Sequence, residues 1–330
     1  MKKWKFILGV DVSKLTLDVH CLELNLHIKI ENGTKGFVVL KKWCKDNQIL
    51  LSESLIVMEY TGGYEYKLLQ FCASLNIQYS RIPGLAIKNS LGICRGKNDK
   101  VDAKRIAQYA DEKHKSIEPS KPLNKTIITL KELLSTRKRF VRENAGYKAS
   151  MKERLAMYEV AKNDFILKAY GQKIKMNSVT IKKIEVEIMK MVYGDQKMAR
   201  NYDIIASIKG IGMINALMTI AYTENFTSFD NPRKYAVYAG VVPFDHDSGT
   251  SLKGKKRVSH LANKELKQEL NQAAKTAIIY DNELREYAEN KLKVKCYGIV
   301  LNNVKFKLIL RMFALVKRGE LFVENYKKSA

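Results

Sequence analysis

Four carboxylates stand where they could act together. Asp11 interrupts the apolar run Phe6-Ile7-Leu8-Gly9-Val10, and Glu59 follows Leu55-Ile56-Val57-Met58. A lone carboxylate in a buried strand costs several kcal/mol unless a hydrogen-bond network or a cation compensates it. Asp99 and Asp102 lie three residues apart and share one face of a helix expected from about 98 to 113. Each acid also has a plainer reading. Asp11 could be a satisfied buried acid and Glu59 a strand-end charge. Asp99 with Asp102 is also the pattern of a helix cap followed by an acid three residues on. Taken jointly, four carboxylates around one point repel unless cations neutralise them. Hard oxygen ligands select Mg²⁺ or Mn²⁺, ions suited to phosphodiester chemistry.

The elements that must position these acids are legible as periods. Residues 6–12 read as a buried strand. Leu15, Leu17, Val19 and Cys21 alternate with Thr16, Asp18 and His20, which predicts a half-buried strand, and Leu26, Ile28 and Ile30 alternate again. A helix follows on Phe37, Leu40 and Cys44, then a strand over 55–58. Thr61-Gly62-Gly63 leads into a helix with Tyr64, Leu68, Leu69, Cys72 and Leu75 on one side. A short strand at Ile77 and Tyr79 comes next, ended by Pro83-Gly84, before a loop and the helix bearing Asp99. Three antiparallel strands followed by helix-crossed parallel ones make a mixed sheet with helices on its faces. This is the order of the ribonuclease H and RuvC resolvase folds.

From 121 to 200 the pattern changes to long apolar stripes. Leu123, Ile127, Leu130, Leu134, Val141, Met151, Leu155 and Tyr158 form one, and Ile181, Ile184, Ile188, Met191 and Met198 a second, with a break near Gly171 and Asn177. Two antiparallel helices of heptad character, a coiled-coil arm, are expected. Ser207–Ala216, with Lys209, Gly210 and Gly212, resembles a helix-hairpin-helix turn, whose N–H groups can hold a phosphate. Ser248 lies in a polar, Gly-flanked loop, followed at once by Lys253, Lys255, Lys256 and Arg257. Ser259–Asn263 is expected to begin a helix with Leu266, Leu270, Ala273, Ala274 and Ala277 on its buried face. The last helix carries Val300, Val304, Leu308, Met312 and Leu315.

Composition narrows the partners. The 330 residues carry a net charge of +25, which points to a polyanion, most often nucleic acid. The five cysteines form no C-x-x-C pair, so neither a zinc site nor a disulfide framework is indicated, which fits a reducing cytoplasm. The first apolar run is broken too early for a signal peptide, and no run of about 18 apolar residues could span a membrane.

Gly-Val-Asp-Val-Ser-Lys at 9–14, Glu-Tyr-Thr-Gly-Gly-Tyr at 59–64 and Lys-Asn-Asp-Lys-Val-Asp-Ala at 97–103 resemble the three blocks of the insertion-sequence-110 family of DEDD transposases. Segments 207–216 and 238–273 resemble that family's C-terminal transposase domain. The resemblance covers nearly the whole chain, and its members are related to the Piv invertase. It implies a RuvC-like catalytic domain at 1–120, a coiled-coil arm at 121–200 and a mainly helical transposase domain at 201–330. It implies an acidic tetrad of Asp11, Glu59, Asp99 and Asp102 holding Mg²⁺, and a nucleophilic serine, here Ser248. Its partners would be donor DNA, target DNA and a structured bridge RNA, with a dimer or tetramer on DNA, in a bacterial or archaeal cytoplasm close to the nucleoid. The chain departs from the family pattern in three places, one being Ser259-His260-Leu261-Ala262-Asn263 where Ser-Lys-x-Gly-Asn is usual. Lys209 stands where proline is usual, and Lys267 where an arginine is usual, which cannot reproduce a bidentate phosphate contact.

The reading that follows is a composite site in which Ser248 attacks a phosphate polarised by metal ions and forms a phosphoserine link to DNA. Ser251 and Ser259 compete for the nucleophile's place, and His246 and His260 for the base's. The alternatives are a RuvC-like metal nuclease that uses water, and a non-catalytic nucleic-acid-binding protein.

Overall fold

The computed structural model describes residues 3–90, 99–122, 124–159, 161, 163–243, 258 and 261–324, and the backbone of 247–248 and 252–253. Two compact units divide the chain at Leu123 and Asn124.

The first unit is built on a five-stranded sheet in the order β3-β2-β1-β4-β5. Its strands are β1 (Phe6–Val12), β2 (Thr16–Cys21), β3 (Leu26–Glu31), β4 (Ser54–Glu59) and β5 (Gln78–Ile82). β1–β2 and β2–β3 pair antiparallel, whereas β1–β4 and β4–β5 pair parallel, the mixed sheet expected. Strand alternation sends Leu8, Val10, Val19, Ile56 and Met58 to one face. There they pack on Phe37 and Leu40 of α1 (Thr34–Asp46) and on Leu68 and Cys72 of α2 (Tyr66–Ser74). Ile7, Leu55, Val57 and Ile82 go to the other face. They meet Ile87 of α3 (Gly84–Ser90) and Ile106, Ala107 and Ala110 of α4 (Asp99–Glu112).

Gly9 lets α4 sit directly on β1. A Cβ there would lie 2.2 Å from the Ala103 carbonyl oxygen and 2.5 Å from the Ala107 amide nitrogen. Three sequence expectations need correction. α3 stands where a loop is expected after Pro83-Gly84. Tyr64 is exposed, ahead of α2 rather than on its buried side. β2 is buried on both faces, because α4 covers Asp18 and His20, the residues whose polarity marked that face as solvent-facing.

The second unit is helical. α5 (Lys125–Met157) and α6 (Phe165–Tyr193) run antiparallel, joined by the ion pairs Arg137–Glu185 at 2.7 Å and Arg154–Asp164 at 2.7 Å. The break lies between Met157 and Phe165. Gly171 and Asn177 are inside α6, where Asn177 is buried and donates to Glu143. Near the base of the pair, Ile127, Leu130, Ile188 and Val192 are buried in the main core, with Leu133, Leu134 and Ile184 packed against it. That core is completed by α7 (Gln196–Ala206), α8 (Met213–Thr223), α9 (Pro232–Tyr238), α10 (Lys264–Tyr280), α11 (Asn282–Leu292) and α12 (Tyr297–Arg318). Two short strands, β6 (Asp247–Ser248) and β7 (Leu252–Lys253), pair antiparallel. α10 begins one residue after Asn263, whose side chain caps it by accepting from the Glu265 and Leu266 amides. Among the described residues, no helix is long and apolar enough to cross a membrane.

Candidate functional sites

The acids of the first unit meet on the α4 face of the sheet. Asp11 is paired in register with Asp18 of β2, and Glu59 ends β4 on the same face as Val57. Asp99 is already helical in α4, within its described span, so it is not a capping residue outside the helix. Asp102 stands one residue before Ala103, the contact with Gly9. Burial, and then the charges of Asp102, Asp99, Asp18 and Glu59 in that order, push the Asp11 carboxyl up to about 6. Five carboxylates thus act on one locus.

Cations of the chain itself occupy part of it. Lys29 Nζ lies 3.2 Å from Asp18 and 3.3 Å from Asp99, and Arg105 pairs with Asp102 at 3.0 Å. His27 Nε2 donates to Asp18 Oδ1 at 2.9 Å. Glu59 Oε1 rests against the backbone at Gly84, where a Cβ would approach it to 2.0 Å. Beneath α4, His20 is 2% exposed, and neither ring nitrogen has a partner among the described residues. Burial first, then Lys104, His27 and Lys100, hold its pKa below the ordinary value.

Among the described residues no three acids are close enough to form a ready-made ligand set. The donor chemistry nonetheless fits a hard divalent cation: every group is a carboxylate, and their mutual repulsion is visible on Asp11. Asp18, Lys29 and His27 were missed in the sequence. The signal was the antiparallel register that sets Asp18 beside Asp11.

The expected sites of the second unit are only partly described. Gly210, at φ +92°, brings the turn after α7 against α10, where a Cβ would lie 2.7 Å from the Ala273 carbonyl oxygen. Gly212 precedes α8 without a side-chain cap. The recess beside this turn is lined by Asn215, Glu269 and Gln272. Its side chains include acceptors: the Asn215 Oδ1 is buried without a partner among the described residues, and burial and then Glu265 raise the Glu269 pKa. Lys209 pairs with Glu324. Ser248 pairs through its backbone with Leu252, and Lys253 with Asp247. The side chains of Ser248 and Lys253 lie outside the described residues, as do His246, Ser251, Lys255, Lys256, Arg257, Ser259 and His260. Lys267 is half-buried on α10, and the described residues place no carboxylate within ion-pairing distance of it.

A mixed sheet bearing clustered acids and a helical unit in a chain of net charge +25 are features suited to an enzyme that acts on nucleic acid. A model of DEDD transposases of the IS110 type, described as a transposase, matches residues 8–159, and one described as "Transposase IS116/IS110/IS902 family" matches 202–289. The chain is also similar to the pilin gene-inverting proteins of Moraxella lacunata and Moraxella bovis. Each is 25% identical over 273 residues, covering 81% of this chain and 81% of the relative. The chain belongs to the IS110 family of transposases, enzymes of DNA recombination. DEDD transposases are metal-dependent as a family.

Proposed function

We propose that the protein is an RNA-guided recombinase of an insertion sequence, cutting and rejoining DNA through a phosphoserine intermediate. The observation that carries the reading is the placement of Asp11 on β1, Glu59 at the end of β4 and Asp99 with Asp102 on α4, all on one face of the sheet. There burial first, and then these neighbouring carboxylates, raise the Asp11 pKa. Asp11, Glu59, Asp99 and Asp102 would hold Mg²⁺ or Mn²⁺, which supplies charge stabilisation at the scissile phosphate when bound. Ser248 attacks phosphorus: its Oγ–P bond forms as a P–O bond to deoxyribose breaks, and the freed strand leaves with a hydroxyl. The reverse step joins that phosphate to a new strand without a nucleotide cofactor.

The sheet order and the placement of acids on β1, β4 and α4 support a RuvC-like or ribonuclease H-like domain over 1–120. The long antiparallel helices support a coiled-coil arm over 121–200. Val179 and Val186, exposed and seven residues apart on α6, offer it a face for dimerisation. The segment 201–330 is the transposase domain, with a helix-hairpin-helix at α7–α8. Bridge RNA, donor DNA and target DNA are its partners.

The test is chemical. Protein, cognate RNA, labelled donor DNA and Mg²⁺ are incubated, then denatured, and label on the protein is measured. Wild type should carry it, and Asp11→Asn and Ser248→Ala should not. Cleavage without adduct in wild type would replace the serine mechanism with water-driven metal nuclease chemistry.

A further inference from the structure

We propose that Lys305, Lys267 and Asn271 form a phosphodiester-binding subsite between α10 and α12, a reading that rests on nucleic acid being the ligand of this enzyme. α12 buries Leu301, Val304, Leu308, Ile309 and Met312, and Lys305 stands among them at 2% exposure. Its ammonium has three donors and makes one hydrogen bond among the described residues, to Asn271 Oδ1 at 2.6 Å. No described carboxylate pairs with it. A charge of like sign acts on it: Lys267 lies one turn before Asn271 on the same side of α10, and it adds to burial in lowering the Lys305 pKa. Lys267 is in the first turn of α10, whose dipole also presents positive charge there.

Burying an unpaired ammonium is costly, and an apolar side chain of the same length would serve the free fold better. The carboxylate in the first turn of α10, Glu265, is paired with Lys138 at 2.8 Å. Lys305 and Lys267, with no described carboxylate of their own, thus describe half of an ion pair. A phosphodiester spreads one negative charge over two oxygens, one for each lysine, and the Asn271 amide N–H groups provide further donors. Lys267 and Asn271 are half-buried, so both side chains reach solvent, and Asn271 joins them to the buried Lys305 ammonium through its hydrogen bond. The other possibility is a purely structural lysine whose stem fills the α12 stripe and whose head merely finds Asn271.

The two differ in sign. Full-length Lys305→Met should melt at a higher temperature than wild type, yet bind nucleic acid about tenfold more weakly, with the slope of log affinity against log salt reduced by about one. Fluorescence anisotropy with labelled duplex DNA and, separately, structured RNA tells which backbone occupies the site. Asn271→Asp is the second variant. It pairs Lys305 within the chain, so it should also stabilise the fold and weaken binding. Variants that bind both polymers with wild-type affinity and salt slope overturn the subsite and leave the proposed function standing. Wild-type protein that binds neither polymer overturns both.

Discussion

A methyl group at Gly84 would meet Glu59 Oε1 at 2.0 Å, and that oxygen is the far end of a flexible side chain. Gly84→Ala should therefore leave the fold intact, with a melting temperature within about 2 °C of wild type. It should displace the carboxylate and lower Mg²⁺-dependent strand cleavage by about a hundredfold, the scale set by misplacing a reacting group by an ångström. Lys305 makes a pH prediction. Burial, then Lys267, bring its pKa down from 10.5 to about 8. Between those values the unfolded chain holds a proton that the folded chain has released, so this group's contribution to stability rises with pH from about 8 to about 10.5 and is flat below. The difference in unfolding free energy between wild type and Lys305→Met, followed by urea titration across that range, should narrow as pH rises. Asp11, Glu59, Asp99 and Asp102 could be placed from sequence because strand alternation and helix spacing assign faces without knowing the fold. Asp18 could not, since alternation marks a polar face and does not say whether α4 will cover it. Lys305 escaped because the stripe from Val300 to Leu315 was readable without it.

At the scale of elements, the contact between β1 and α4 delivers half of the acidic cluster. Gly9→Ala cannot be absorbed by a side-chain movement, because its neighbours are the Ala103 carbonyl and the Ala107 amide. The variant should lose about 1–3 kcal/mol of stability, the usual cost of overpacking. If the tetrad holds Mg²⁺ as proposed, wild type should gain melting temperature on its addition and Gly9→Ala should not, since Asp99 and Asp102 move with the helix. Calorimetry with and without Mg²⁺ measures both. Most of the strands and helices are legible because each keeps one period, and Gly33, Asn47 and Pro83 mark the ends of α1 and β5. The turn between α5 and α6 was misplaced for a physical reason. One glycine costs a helix only about 1 kcal/mol, which a 29-residue helix tolerates, so Gly171 did not break α6. Asn163-Asp164 was the better signal: Asp164 caps α6 by accepting from the Leu167 amide and also binds Arg154.

For the molecule as a whole, two cores divided at Leu123 and Asn124 predict two unfolding transitions. Mg²⁺ should raise only the one belonging to the acidic unit, and Asp11→Asn should abolish that shift, as read by differential scanning calorimetry. The charge of +25 pointed to nucleic acid from the start, but it is a sum and names no residue. The register of strands has a further consequence, in the time domain of synthesis. All five strands of the first unit lie between Phe6 and Ile82, and α4 ends at Glu112. The acidic unit is complete while most of the chain is still untranslated. The helical unit is different, because Val304, Leu308, Ile309 and Met312 of α12 supply the centre of its core. Until the ribosome passes Arg318, the apolar faces of α7, α9 and α10 lack the partner that α12 provides. A nascent chain therefore carries a finished half and an unfinished one, and the interval before α12 emerges is when chaperone capture matters most.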